Sequence, residues 1–242
     1  MIRAVLADLH LGQREDRFGR FLATVEDLRR GGAEEVIFLG DLFRTLIGFP
    51  KFWDELTQRG LEELRRLREA GIRVVLVEGN RDFFLDAGEM DPFRDLCGAV
   101  HSFAAGGRRF LLEHGDLVNR SDRSYRAWRA VSKSPAARLW ARTLPLALAR
   151  GIVRHTEARL AKTNFSYRRE LPVDDLTAAS RRHFAAGVDV VLWGHFHRPW
   201  RLEEHGREAW VVPAWLESGA VVWIGEGGEI SVRESGEPEA VC

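Results

Sequence analysis

One local pattern occurs five times in the 242-residue sequence: an apolar, strand-like run that ends in carboxylate, amide or imidazole side chains. Ligands of open α/β sheets collect beyond the carboxyl ends of the strands. Polar groups placed there are therefore expected to converge at one edge of a sheet, although they lie far apart in sequence. The five polar pieces are Asp8-Leu9-His10, Gly40-Asp41, Gly79-Asn80-Arg81-Asp82, His114-Gly115-Asp116 and Gly194-His195-Phe196-His197.

Helical patterns separate the apolar runs in the first half of the chain. Phe18–Arg30 and Trp53–Ala70 carry apolar residues at helical spacing, and a glycine follows each pattern. Strands that alternate with helices favour an α/β layered fold. A further helix is predicted at Leu176–Ala186. The predicted strands are Ile2–Ala7, Glu35–Leu39, Arg73–Val77, Val100–Phe103, Arg109–Glu113, Val188–Trp193, Ala209–Pro213, Ala220–Ile224 and Glu229–Val232.

The middle of the chain has a different character. Residues 118–175 show few strand signals, and Pro135 and Pro145 divide them into short helical stretches. We predict a helical cap inserted into a core made of residues 1–117 and 176–242. From Val118 to Arg182 there are 15 basic and 5 acidic residues, a net charge of +10 in a chain that is neutral overall. This excess indicates either an anionic partner on one face or simply arginine-rich, solvated helices.

Composition excludes several classes of protein. With 45% hydrophobic and 30% charged residues the chain is neither disordered nor collagen-like. Its two cysteines, Cys97 and Cys242, cannot build a disulfide framework or a thiolate zinc site. The first apolar run contains Asp8, unlike a signal peptide, and no apolar stretch reaches the length of a membrane span. We expect a soluble or peripheral protein of a reducing compartment.

The side chains at the strand ends are typical metal ligands. An isolated Asp-x-His or Gly-Asp is most often a structural turn, so the recurrence in a fixed order carries the inference. Oxygen and imidazole donors without sulfur suit Mn, Fe, Zn or Mg. Seven ligands exceed the needs of one ion, so we expect two ions that share a carboxylate and activate water for attack on an anionic substrate. The expected ligands are Asp8, His10, Asp41, Asn80, His114, His195 and His197.

The motifs DxH, GD, GNxD, HGD and GHxH, in this order, resemble those of the calcineurin-like metallophosphoesterases. That resemblance covers almost the whole chain and implies a two-sheet β-sandwich flanked by helices. The longer strings ADLHL, LGDLF, GNRDF, HGD and GHFHRP are similar to those of the UDP-2,3-diacylglucosamine diphosphatases of lipid A biosynthesis. In that group arginine follows the asparagine, and a helical insertion follows HGD.

The resemblance also implies roles for individual residues. Arg81 would stabilise phosphoryl oxygens, since its planar fork suits phosphate. The first ion would be held by Asp8, His10, Asp41 and His197, and the second by Asp41, Asn80, His114 and His195. Asp41 would bridge the two ions, which are expected to be Mn²⁺. The implied catalytic residues are Asp41, Asn80, Arg81, His114 and His195, and the implied substrate-binding residues are Arg81, Asp122, Asn164 and His195.

The implied reaction is hydrolysis of the diphosphate of UDP-2,3-diacylglucosamine, or a close UDP-acylsugar, to UMP and 2,3-diacylglucosamine 1-phosphate. We expect a monomer acting as a peripheral protein on the anionic cytoplasmic face of the inner membrane. Apolar cap residues would line an acyl groove or pack the cap onto the core: Trp128, Leu139, Trp140, Leu144, Leu148, Ile152 and Val153. The cations expected around them are Arg123, Arg126, Arg150, Arg154 and Arg159.

The sequence departs from this group near the substrate. Arg44, Thr45 and Leu46 follow GDLF where an acidic residue and tryptophan are usual, and Leu160 and Tyr167 occupy the outer positions of the substrate stretch around Asn164. These departures leave open a different nucleotide, a phosphoprotein or a nucleic-acid phosphodiester as substrate. We expect no nucleic acid, because aromatic residues are not interleaved with the basic residues at base-stacking intervals. A scaffold without chemistry is the remaining alternative, and the complete ligand set argues against it.

Overall fold

The computed structural model describes residues 1–13, 17–146, 148, 151 and 171–235, and it contains two β-sheets packed face to face. In spatial order the six-stranded sheet comprises β13 (Ile230–Glu234), β12 (Ala220–Ile224), β1 (Arg3–Leu6), β2 (Glu35–Leu39), β4 (Arg73–Val77) and β6 (Leu96–Gly98). The five-stranded sheet comprises β10 (Arg201–Glu204), β11 (Arg207–Val211), β9 (Val190–Trp193), β8 (Arg108–Glu113) and β7 (Val100–Ala105). A small sheet pairs β3 (Leu46–Ile47) with β5 (Asp82–Phe83).

The strands that precede the predicted ligands run in parallel at the centre of each sheet. In the six-stranded sheet β1 pairs in parallel with β2, and β2 with β4. In the five-stranded sheet β9 pairs in parallel with both β8 and β11. Parallel pairing places successive carboxyl ends side by side, so each sheet has one edge at which the following loops meet.

Apolar residues fill three layers. Val5, Ile37 and Val75 of the first sheet meet Phe110 and Leu192 of the second in a fully buried cluster between the sheets. The outer face of the six-stranded sheet is covered by α1 (Arg17–Arg30) and α2 (Glu55–Glu69), and that of the five-stranded sheet by α5 (Val173–Ala185). Central strands buried on both faces explain the uninterrupted apolar runs. The predicted layered sandwich flanked by helices is confirmed.

Some elements were not predicted. The edge strand β10 has the sequence Arg-Leu-Glu-Glu, and its charged outward residues hide the strand signal. The two-residue strands β3 and β5 and the four-residue helix α6 (Trp215–Ser218) are too short for a periodic pattern. The helix α5 begins at Val173, three residues before the predicted start, and its Leu176 already lies in the core.

The described part of residues 118–175 contains two helices before α5, named α3 (Arg123–Ser132) and α4 (Pro135–Thr143). Asp122 caps α3 by accepting from the Tyr125 N–H at 2.8 Å, and Ser134 caps α4. Proline at the first position of α4 removes one of the N–H groups that lack a partner within the helix. Ile152, Val153, Arg150, Arg154, Arg159, Leu160, Asn164 and Tyr167 lie outside the described residues.

The cap helices dock through a small aromatic cluster. Trp128 of α3 meets Phe83 of the core edge-on, with ring centroids 6.0 Å apart. Ala137 and Ala141 of α4 join the same cluster, which includes Phe84. Of the predicted groove residues, Trp128 therefore packs the cap onto the core. In contrast, Leu139, Trp140 and Leu148 are 65%, 54% and 60% exposed.

Much of the positive charge of the cap meets negative charge on the core. Asp116, Glu78, Asp86 and Glu89 of the core each pair with a cation of α3, of its C-terminal cap residue or of α4. These cations are Arg129, Lys133, Arg138 and Arg142. The basic excess of this segment thus has a role within the fold, in addition to the two predicted from sequence. None of the helices built from described residues is long and apolar enough to span a bilayer.

Candidate metal centre

The predicted ligands meet at the aligned strand ends. Asp8 follows β1, Asp41 follows β2 and Asn80 follows β4, all in the six-stranded sheet. His114 follows β8 and His195 follows β9 in the facing sheet. Side chains from the two sheets therefore face one another across the open end of the sandwich.

The backbone of the site is strained. In the described part of the chain, seven residues other than glycine have positive φ, and five of them are predicted ligands. Positive φ is unfavourable for residues with a Cβ, and such strain collects at functional sites. The five are Asp8, His10, Asp41, His195 and His197, with φ between 46° and 72°.

Two glycines allow the loops to approach this closely. A Cβ on Gly40, which has φ of +80°, would lie 2.1 Å from His114 Nδ1. A Cβ on Gly79 would lie 2.3 Å from Asp41 Oδ1, although the φ of Gly79 is not positive. Gly40 is thus required both for its left-handed backbone and because a Cβ would collide with His114, whereas Gly79 is required only because a Cβ would collide with Asp41.

The first group of ligands consists of Asp8, His10 and His197, whose donor atoms lie within 4.8 Å of one another. Asp8 Oδ1 is 3.3 Å from His197 Nε2 and 3.8 Å from His10 Nε2, and it makes no hydrogen bond among the described residues. His10 Nδ1 is also buried without a hydrogen-bond partner there. Burying polar atoms unpaired is costly, and a cation among them would remove that cost.

The second group gathers around Asn80. His114 Nδ1 lies 3.1 Å from the Leu39 carbonyl, which can only accept, so this nitrogen carries the proton. In the neutral ring the lone pair of Nε2 then faces Asn80 Oδ1 at 3.1 Å and Asp41 Oδ1 at 3.7 Å. Three acceptor atoms facing one another fit a shared cation.

His195 completes this group. Its Nδ1 is 3.1 Å from the same Asn80 oxygen, and its backbone N–H donates to Asp8 Oδ2 at 2.8 Å. Burial lowers the pKa of His195 to about 4. The ring is therefore neutral at pH 7 and offers a lone pair to a metal ion.

Two carboxylates lie between the groups. Asp41 directs Oδ1 toward His114 and Oδ2 toward His10 Nδ1 at 3.9 Å, as a bridging ligand would. Asp8 belongs to the first group and also lies with Asp41 and His114 in a second set of donor atoms within 4.8 Å. The bridging role of Asp41 remains a prediction, and Asp8 is placed to share it.

Hydrogen bonds hold the carboxylate loop in place. Asp82 Oδ2 accepts from the N–H groups of Asp41 and Gly79, at 2.8 and 2.9 Å. Burial and the nearby charge of Asp41 raise the pKa of Asp82 to about 7. Asp82 thus joins the two loops that carry Asp41 and Asn80.

Arg81 lies inside the site, with only 2% of its surface exposed. Its backbone N–H donates to Asp41 Oδ1 at 2.9 Å, and its side-chain Nε lies 3.6 Å from Asp41 Oδ2. Its Nη1 donates to the Arg44 carbonyl, whereas Nη2 is buried with no hydrogen-bond partner among the described residues. Within the described part of the chain, the acidic partner of its side chain is therefore Asp41 rather than the adjacent Asp82.

Glu217, which the sequence did not suggest, lies beside the ligands. Its Oε1 is 3.3 Å from His197 Nδ1. A carboxylate in this position directs the other ring nitrogen toward a metal. It stands on the short helix α6, 20 residues after His197, and no motif or spacing in the sequence marks it.

The predicted substrate residues are placed differently. Arg81 and His195 lie at the centre, Asp122 caps α3, and Asn164 lies outside the described residues. The substrate-binding roles of these residues remain predictions.

The calcineurin-like phosphoesterase family matches residues 1–199, and the chain belongs to that family. Among its relatives, UDP-2,3-diacylglucosamine hydrolase of Stenotrophomonas maltophilia is 30% identical over 248 residues, covering 94% of this chain and 96% of the relative. The protein of that name from Klebsiella pneumoniae is 29% identical, covering 93% and 95%. A solved archaeal phosphodiesterase shares the fold, with a TM-score of 0.50, 12% identity, and coverage of 96% and 99%.

The chain is therefore a metal-dependent phosphoesterase, as its motifs indicated. The residues gathered at the strand ends fit divalent metal ions by their chemistry and by their facing lone pairs.

Substitution of Gly40 by alanine tests how closely the loops must approach. We expect Gly40→Ala to displace the His114 ring and to weaken Mn²⁺ binding at least ~10-fold, measured by isothermal titration. Gly32→Ala is the matched control, because Gly32 has φ of +73° but no atom within 4 Å of an added Cβ. It should lose about 1–2 kcal/mol of stability and retain Mn²⁺ affinity. Unchanged Mn²⁺ binding by Gly40→Ala would contradict this account of the site.

Proposed function

We propose that this enzyme hydrolyses the diphosphate of UDP-2,3-diacylglucosamine, or of a close UDP-acylsugar, to UMP and 2,3-diacylglucosamine 1-phosphate. Relatives that align with more than nine-tenths of the chain are named UDP-2,3-diacylglucosamine hydrolase. The structural observation that carries the proposal is an exposed apolar surface on a cap that adjoins the metal centre. A soluble nucleotide or a phosphopeptide would not require such a surface.

The exposed apolar surface lies on and just beyond α3 and α4. A surface of this kind marks a site for a lipid, a membrane or a protein partner. Next to a phosphoesterase centre, acyl chains attached to the substrate are the simplest occupant. Its members are Val131, Leu139, Trp140, Leu146 and Leu148, which are 45% to 70% exposed.

The chemistry divides between the metal ions and the protein. Divalent ions, when bound, draw charge from phosphoryl oxygens and lower the pKa of water so that it can attack phosphorus. Arg81 is placed to donate to a phosphoryl oxygen through Nη2, while the Arg44 carbonyl at Nη1 and Asp41 Oδ2 near Nε position the guanidinium. Burial strengthens that interaction, since charge is weakly screened inside the protein.

We further propose that the ions are Mn²⁺ and that the enzyme, as a monomer, docks on the anionic cytoplasmic face of the inner membrane. Oxygen and imidazole ligands without thiolate support Mn²⁺. The exposed apolar residues of the cap, together with exposed arginines such as Arg123 and Arg126, support attachment to an anionic bilayer.

Two of the residues that depart from the group's usual sequence after GDLF, Leu46 and Arg44, lie in different environments. Leu46 is fully buried in the core beneath the six-stranded sheet, so it does not shape a substrate surface. Arg44 is exposed and supplies the carbonyl that holds Arg81. The alternative substrates, a different nucleotide, a phosphoprotein or a nucleic-acid phosphodiester, are to be distinguished by assay.

The direct test is release of UMP from UDP-2,3-diacylglucosamine in mixed micelles with Mn²⁺. Unacylated UDP-glucosamine and bis-p-nitrophenyl phosphate serve as comparison substrates. We expect kcat/KM for the acylated substrate to exceed that for UDP-glucosamine by at least ~100-fold, since burial of apolar surface adds binding energy. Hydrolysis of bis-p-nitrophenyl phosphate without release of UMP from either nucleotide would exclude the proposal while leaving the enzyme class intact.

Arg81→Lys keeps the charge but removes the planar fork. We expect kcat for UDP-2,3-diacylglucosamine to fall ~10- to 100-fold with little change in KM, because Arg81 acts on charge that develops in the transition state. Arg94→Lys is the control, since Arg94 is a partly buried arginine that binds the Leu85 carbonyl away from the site. A rise in KM alone would assign Arg81 to ground-state binding.

Replacing Leu139 and Trp140 by serine tests the acyl surface. Both side chains are exposed, so the cap should fold and KM for the acylated substrate should rise ~10-fold as apolar contact is lost. Turnover of bis-p-nitrophenyl phosphate should not change. Trp128→Ser, which removes a docking residue, should impair both substrates. Equal impairment of both by the Leu139 and Trp140 changes would mean that the surface supports the fold rather than the substrate.

A further inference from the structure

The cap helix α3 is bonded to the loop that follows His114. Asp116 lies two residues beyond this ligand and is only 8% exposed. Its Oδ2 accepts from Arg129 Nε at 2.6 Å and from the Tyr125 hydroxyl. Among the described residues, both side-chain partners of this buried carboxylate come from α3.

The end of α3 is bonded to the loop of Asn80. Lys133 Nζ donates to the Gly79 carbonyl at 2.8 Å and lies 3.2 Å from Glu78 Oε2. That carbonyl belongs to the peptide group joining Gly79 to Asn80. On the other side of the loop, the Gly79 N–H donates to Asp82. Gly79, directly before Asn80, is thus held at its N–H by the core and at its carbonyl by the cap.

Other contacts join the cap to the core without reaching a ligand loop. Arg138 of α4 pairs with Asp86 at 2.6 Å. Lys51 donates to the carbonyls of Arg142 and Leu144 at the end of α4. The polar contacts of α4 therefore dock the cap, whereas those of α3 and of Lys133 also support the loops that carry metal ligands.

We propose that Arg129 and Lys133 are positioning residues of the metal centre, so that docking of α3 and binding of metal are coupled. If α3 moved away, Asp116 would be left buried and unpaired, or its loop would have to open. The Gly79 carbonyl would lose its hydrogen bond from Lys133 at the same time. Coupling of this kind is reciprocal: bound metal must also stabilise the docked position of α3.

The test measures metal affinity directly. Mn²⁺ is titrated into metal-free full-length protein by calorimetry, comparing Lys133→Met with Arg138→Met. Each change removes one cation of the cap and the ion pair that it forms with an acidic residue of the core. Of the two cations, only Lys133 also contacts a loop that carries a metal ligand. We expect Lys133→Met to weaken Mn²⁺ binding ~10-fold and Arg138→Met less than ~2-fold. Equal losses, or no loss in Lys133→Met, would overturn the proposal.

A second variant keeps the test valid if Lys133→Met does not fold. Arg129→Met should weaken Mn²⁺ binding in the same way, and Arg129→Lys, which retains a cation for Asp116, should restore much of it. Hydrogen exchange supplies a readout independent of activity: amides of α3 should exchange more slowly in the parent protein when Mn²⁺ is added. Amide exchange rates in α3 that do not change on addition of Mn²⁺ would refute the coupling. Equal Mn²⁺ affinity of Arg129→Met and the parent protein would also refute it.

Discussion

The whole site depends on the alignment of strand ends. Parallel pairing of β1, β2 and β4 places Asp8, Asp41 and Asn80 side by side, and β8 and β9 do the same for His114 and His195 in the opposite sheet. The apolar layer between the sheets fixes their separation, because central strands buried on both faces cannot shift without exposing that layer. Seven polar side chains are thereby brought together by apolar packing beneath them.

The features that could be predicted from the sequence are those marked by a repeated pattern. Uninterrupted apolar strands followed by polar residues revealed the layers, and the residues that end them were found at one edge. Contacts without a repeating pattern could not be foreseen. Glu217 contacts His197 from a helix of only four residues, which has no periodic pattern. The edge strand β10 is too polar to be recognised. Gly79 is needed for its lack of a side chain near Asp41, which no local turn signal indicates.

The basic segment shows that composition alone does not reveal pairing within the fold. Its excess charge suggested an anionic partner or solvated helices, and Arg129, Lys133 and Arg138 are in addition paired with acids of the core. Charge of opposite sign on the two parts therefore helps to dock one against the other. Pairing could not be inferred from the sequence, because the acidic partners come from three separate loops.

The left-handed backbone at the site also restricts its composition. Asp, Asn and His tolerate positive φ better than other residues that carry a side chain, whereas β-branched or bulky residues do not. The positions of Asp8, His10, Asp41, His195 and His197 thus admit oxygen and imidazole donors by conformation alone. A thiolate ligand placed at any of these positions would carry the conformational penalty of a side chain at positive φ without the local hydrogen bonds that let Asp and Asn adopt it. The path of the backbone therefore restricts the residue types, and through them the donor atoms, that this centre can present.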